Sequence, residues 1–365
     1  MEDIRIYIIY NWFIYLSIFI IGLLYLFKNK QINNKCITNI LLVLITCYAL
    51  FYNSDFDYYR LKYVFYYKES ESVRLEPIYH EIAKICFGNY HIFRILIWGT
   101  ALALFHKATK YLRLNSTVAL ILFGILYIKT FSYARVSLAV CCLLLCYVLF
   151  LNTRNKSKKY LLTALLFVLS INLHKTMIFL WFIVLIAHYI KPKKSNIIKA
   201  IAAFPFIAIG SNFLIRKLIP FIGYISTESQ GYAETALAGE NTKGFSLYYI
   251  TALIPLAIPF FISLFKLLKD KNADTNINKI AMLAFFVIYA AFIFLTIDFG
   301  NVNLLCKRFI NLSIPFALIT ITYAYSRYLN CKKITNICAL MEGVMVLYYA
   351  IHIYNTIDIK DSVIF

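Results

Sequence analysis

Three basic sites and a histidine stand at the ends of apolar runs, where charge is expensive. Arg135 lies in Ser132-Tyr133-Ala134-Arg135-Val136-Ser137, at the start of one run. His174-Lys175-Thr176 joins two further runs in a tight turn. Lys307-Arg308 opens a late run, preceded by Asp298. At the edge of hydrocarbon a cation costs free energy unless it is paired or solvated. Arginine suits bidentate contact with phosphate, and lysine supplies a point charge. A histidine in such a place can act as a base near neutral pH. Arg135, Arg308 and Lys175 together fit a diphosphate headgroup better than any one alone. The plain alternative for each is a membrane anchor or an ordinary polar turn, and Arg216 and Lys217 read as flanking anchors.

The segment 53–90 carries the other candidates. Asp55, Tyr59 and Tyr63 recur at i, i+4 and i+8, one stripe if the segment is helical. Glu76-Pro77 sets a proline where a helix can begin, with Glu76 near its N-cap and Tyr79 just beyond. Aromatic faces pack on the C–H faces of a sugar while carboxylates accept from its hydroxyls. Tyr59, Tyr63 and Tyr79 are therefore candidate sugar-binding residues. Asp55, Glu76 and His174 are candidate catalytic residues. An interfacial aromatic belt with solvated acids is the alternative. Asp55-Phe56-Asp57 also has the DxD form of metal–diphosphate sites in many glycosyltransferases, a weak pattern of three residues.

These residues are set in a very apolar chain. Of 365 residues, 62% are hydrophobic and only 15% charged, with a mean hydropathy of +0.72; a soluble domain carries roughly 25% charged residues. The apolar runs are continuous rather than alternating, which argues helices and not a barrel. Twelve helices are expected, near 6–27, 37–52, 91–108, 117–131, 133–151, 160–173, 176–190, 197–215, 246–265, 280–297, 309–326 and 334–355. The first reads as a retained helix, since no basic n-region precedes it. The runs 117–131 and 160–173 are short for a ~30 Å core and have the length of half-helices lining a cavity. The nine cysteines are scattered, without a CxxC pair or Cys/His cluster, and read as packing residues. Glu342 lies inside the last helix without an assigned role.

The formal charge of +20 follows a pattern. Every second gap between helices is basic, and those six gaps hold twenty-one Lys and Arg against two acids, Asp270 and Asp274. That distribution marks cytoplasmic loops rather than a nucleic-acid surface. Both termini are then external, as are two long segments, 53–90 with its short helix and 216–245. The reading is one integral membrane domain, 1–365, an all-α polytopic protein of the cytoplasmic (inner) membrane.

The order Asp-x3-Tyr-x3-Tyr (Asp55, Tyr59, Tyr63), Glu-Pro-x-Tyr (Glu76, Pro77, Tyr79), Arg-x3-Ala (Arg135, Ala139), His-Lys-Thr (His174–Thr176) and a late Arg308 resembles EpsG-type, Wzy-like polysaccharide polymerases. The likeness spans roughly 50–310 and is specific by order and topology. Asn53-Ser54 stands where that family often has a glycine. The resemblance implies an architecture related to the C-type glycosyltransferases. It also implies an enzyme that joins undecaprenyl-diphosphate-linked oligosaccharide repeat units into O-antigen or capsule on the periplasmic or outer face. The expected partners are those lipid-linked substrates, membrane lipid and a chain-length regulator, with no cofactor. Metal independence is expected because the cations could do a metal's work; the Asp55/Asp57 pair is the counter-argument. Three rivals remain: a lipid-linked oligosaccharide flippase, which favours midplane charges and inverted repeats; an O-antigen ligase-like transferase; and a membrane acyltransferase.

Overall fold

The computed structural model describes residues 4–28, 34–51, 65, 77–127, 134–174, 177–222, 247–296 and 302–356. Among them there is no strand, and thirteen helices follow in order. They are α1 (Ile4–Leu26), α2 (Lys35–Phe51), α3 (Pro77–Ile85), α4 (Tyr90–Tyr111), α5 (Ser116–Leu126), α6 (Ala134–Asn152) and α7 (Lys156–Leu173). Then come α8 (Met177–Tyr189), α9 (Lys194–Ile222), α10 (Leu247–Lys269), α11 (Thr275–Thr296), α12 (Val302–Arg327) and α13 (Leu329–Thr356). Among the described residues, each of the twelve expected apolar runs overlaps one of these helices. Among the described residues, five helices are long and apolar enough to cross a membrane: Ile9–Leu26, Tyr90–Tyr111, Arg135–Asn152, Thr275–Ile293 and Phe309–Arg327.

Short polar residues start the helices. Asn34, Asn89, Asn115, Asn155 and Asp274 each accept from backbone N–H groups of the following turn, as Asn89 does from His91 at 2.9 Å and Asp274 from Asn276 at 2.7 Å. These side chains satisfy donors that a helix start leaves open. Pro77 is the first residue of α3, where its missing N–H costs nothing.

Three helices form the centre. α5 is buried along all eleven of its residues and packs on α1, α2, α4, α12 and α13. At about 16 Å it is too short to span a membrane alone, and it avoids lipid by being enclosed in protein. α6 packs on α4, α7, α11 and α12, and α12 packs on α5, α6, α10, α11 and α13. Small residues allow the closest approaches. A Cβ on Gly124 would meet Ile18 at 2.7 Å, one on Gly22 would meet Ile121 at 2.9 Å, and one on Gly343 would collide with the Phe19 ring.

Some bounds differ from the sequence reading. α7 begins at Lys156, so it has eighteen residues, about 27 Å, rather than a half-helix. α9 continues to Ile222, taking Arg216 and Lys217 into the helix. α12 begins at Val302, so Lys307 and Arg308 lie in its second turn and do not open it. For α7 the Asn155 side chain, accepting from Lys158 N–H at 3.2 Å, caps the helix ahead of its apolar run.

The ends that carry the basic gaps meet on one side of the bundle. The Tyr325 hydroxyl donates to Asn336 Oδ1 (2.9 Å), and Asn336 Nδ2 donates to the Leu26 carbonyl (3.2 Å). The Asn34 backbone N–H donates to Thr117 Oγ1 (3.0 Å), and Asn276 Nδ2 donates to Asn152 Oδ1 (3.3 Å). A clamp joins the α10–α11 turn to the end of α12. Arg327 Nε lies 3.0 Å from Asp270 Oδ2, the Tyr328 hydroxyl donates to the same oxygen at 2.6 Å, and the Asp274 N–H donates to the Tyr323 hydroxyl at 3.1 Å.

The Tyr328 hydroxyl, the Asn272 N–H and the Arg327 charge hold the Asp270 carboxyl below its ordinary range. A carboxyl whose folded pKa is depressed contributes stability above its unfolded pKa and loses it as pH falls through the folded value. Asp270→Asn is therefore expected to lower the thermal midpoint of the detergent-solubilised protein at neutral pH. The gap to wild type should close on acidification. A gap constant with pH would mean that the Asp270 charge is irrelevant to the clamp.

Candidate functional site

Opposite the basic end, four helices bring their chemistry to one height. The Asn152–Asn276 and Asp274–Tyr323 contacts set a floor from which each helix can be counted upward. Arg135 on α6 then stands about 26 Å above that floor, and Arg308 on α12 about 22 Å. His174, counted along α7 from its start beside Asn152, reaches about 27 Å. Two further bonds fix α4: Thr109 shares a hydrogen bond with Ser116 (3.1 Å), and Tyr127 with Ser137 (2.8 Å). They place Arg94 within about 3 Å of the height of Arg135. α4, α7 and α12 all pack directly on α6, so Arg135 lies on the helix that the other three share.

Each position has a local cause. α6 starts at Ala134, which puts Arg135 in its first turn, and the Tyr127–Ser137 bond braces that turn against the end of α5. Arg135 is only 6% exposed. The positive end of the helix dipole is an unfavourable place for a cation and a favourable one for an anion.

His174 ends α7 in extended backbone (φ −163°, ψ 123°), and its N–H donates to the Ser170 carbonyl at 3.0 Å. Its own carbonyl accepts from Met177 N–H at 3.0 Å, which closes the tight turn into α8. Trp181 Nε1 donates to Ser170 Oγ at 2.9 Å and fastens the two helices at that point. His174 is buried, at 6% exposure.

Tyr79 is fully buried on α3. Its hydroxyl donates to the Leu173 carbonyl at 2.9 Å, and its ring meets Phe93 edge-on at 6.4 Å. In this arrangement it ties the short helix to the residue before His174 and presents no open face to a sugar. Tyr79→Phe keeps the ring and removes the tie. The expected cost is about 1 kcal/mol of stability, with a several-fold fall in activity as the His174 turn loosens. Unchanged activity would show that the tie does not position the turn.

Asp55, Asp57, Tyr59, Tyr63, Glu76 and Lys175 lie outside the described residues. Among the described residues no three His, Cys, Asp or Glu side chains group where they could hold a metal ion. The residue that sequence reasoning passed over is Arg94, 3% exposed on α4. Its signal was a lone cation in the apolar string His91-Ile92-Phe93-Arg94-Ile95-Leu96, close enough to a helix end to pass for an anchor.

Buried arginines such as Arg94 and Arg135 have the chemistry to stabilise an anion, and a buried histidine such as His174 that to accept a proton. No curated protein and no solved structure matches the chain. One family model does match, over residues 52–364, and it covers every residue of the site. The chain belongs to the EpsG family.

Proposed function

We propose that this chain is a polysaccharide polymerase that joins lipid-diphosphate-linked oligosaccharide repeat units. What supports the reading is that Arg94, Arg135, His174 and Arg308, carried on α6 and on three helices that pack on it, all stand roughly 22–28 Å along their helices from the basic end. The positive-inside rule makes the basic end cytoplasmic, so these residues and both termini face the periplasm or cell exterior.

The donor is a glycan on undecaprenyl diphosphate, and the acceptor is a lipid-linked repeat unit. The acceptor hydroxyl attacks the anomeric carbon as the bond from that carbon to the diphosphate oxygen breaks. The diphosphate leaves with the electron pair. Arg135 and Arg308, with Arg94 and Lys175 beside them, stabilise that anion. His174 takes the hydroxyl proton, with Asp55 and Glu76 as the other candidate bases. Tyr59 and Tyr63 position sugar rings. The product is O-antigen or capsular polysaccharide in a multi-helix fold related to the C-type glycosyltransferases. No nucleotide sugar or cofactor enters the reaction, and a chain-length regulator is the expected protein partner.

The test is the surface-glycan ladder on a gel from a strain lacking this gene. A single repeat unit in place of the ladder supports the polymerase. Loss of all surface glycan would point to a flippase. An intact ladder would remove the chain from polymerisation altogether.

A further inference from the structure

We propose that Asn311 is a sugar-binding residue of this site, hydrogen-bonding a hydroxyl or acetamido group of the sugar carried on the donor diphosphate. The inference rests on the polymerase reading above and extends it to a residue on α12.

Asn311 lies one turn along α12 from Arg308, on the same side of the helix, about 18 Å above the basic floor. Its side chain is 1% exposed, and neither Oδ1 nor Nδ2 has a hydrogen-bond partner in the described structure. Neighbouring polar groups on the helix are satisfied locally. Ser313 donates to the Ile310 carbonyl at 2.7 Å, Thr320 to Phe316 at 3.0 Å and Thr322 to Leu318 at 2.7 Å. A buried amide that makes neither of its bonds destabilises the fold, whereas a leucine-like side chain there would not. Such a cost is offset when the group meets a ligand that supplies its hydrogen bonds.

The chemistry of the amide selects the ligand group. A diphosphate offers acceptors only, and arginines already supply donors at that height. Asn presents one acceptor and one donor group, which matches a sugar hydroxyl or acetamido group able to give and receive. The first sugar is covalently attached to the diphosphate, so it must lie within a few ångströms of the arginines, and one helical turn is about 5.4 Å.

The experiment uses the purified full-length protein with Asn311→Leu, and Asn311→Ala as a second variant should leucine pack poorly. Three readouts are taken: thermal midpoint, polymerisation of a lipid-linked repeat unit, and binding of undecaprenyl diphosphate with and without its glycan. Asn311→Leu is expected to keep or raise the midpoint. It should lower polymerisation and binding of the glycosylated lipid by about tenfold, the loss of one buried hydrogen bond. Binding of the bare diphosphate should be unchanged. A lowered midpoint with normal activity would make Asn311 a structural residue and overturn the proposal. An equal loss of bare diphosphate binding would overturn the sugar assignment. Wild type that fails to polymerise the repeat unit would instead sink the polymerase reading, whatever Asn311 does.

Discussion

Arg135→Ala leaves the lipid-linked repeat unit unpolymerised, with product reduced about 100- to 1,000-fold, the loss typical of removing one preorganised donor from a developing anion. Arg135 lies on the helix against which α4, α7 and α12 all pack, and it is buried in that helix's first turn. Arg135→Lys should recover only a small part of the activity, because a point charge does not reproduce the planar fork. The measurement is the glycan ladder in a deletion strain complemented at matched membrane protein levels. Truncating a buried charge strands whatever it pairs with, so thermal stability is measured alongside. Activity above about one-tenth of wild type, in a stably folded Ala variant, would remove Arg135 from diphosphate binding.

His174→Ala is expected to cost about 100- to 10,000-fold in rate with the substrates still bound, as for loss of a general base. The fold should survive. The bonds that end α7 use the His174 backbone, and the neighbouring ties come from Tyr79 and Trp181. The distinguishing readout is the pH–rate profile. Wild type loses activity on acidification as the imidazole is protonated, and the variant's residual rate lacks that limb. If His174→Ala keeps both the rate and the acid limb, the base is Asp55 or Glu76.

The helices were legible for simple reasons. Long apolar runs in a chain with so few charges have one low-energy backbone in hydrocarbon, whereas the Asn caps that fix the starts after Asn34, Asn89, Asn115 and Asn155 emerged only from the structure. Pro77 announced the short helix that it opens. Arg135 and His174 stood out in the sequence as candidates because a charge or a histidine at the edge of an apolar run is costly. Arg94 did not, because one cation near a helix end looks the same whether it snorkels to water or is enclosed by neighbours. Tyr79 shows the same limit: a tyrosine behind Glu-Pro suggested a sugar platform, and only its hydroxyl on Leu173 and its full burial reveal a tie.

By itself, then, the sequence determined a polytopic helical chain, the alternation that gathers its basic residues at one end, and which apolar runs end in an arginine or a histidine. These are local properties, written in hydropathy and charge within each segment. Tertiary structure decided which helices surround α6, the enclosure of the short α5, and the height at which Arg94, Arg135, His174 and Arg308 stand. The sliding of one helix along another is set by contacts between residues far apart in the chain, such as Asn152 with Asn276, Asp274 with Tyr323 and Tyr127 with Ser137. Such contacts leave no period in the sequence, because the packing of many side chains at once selects them.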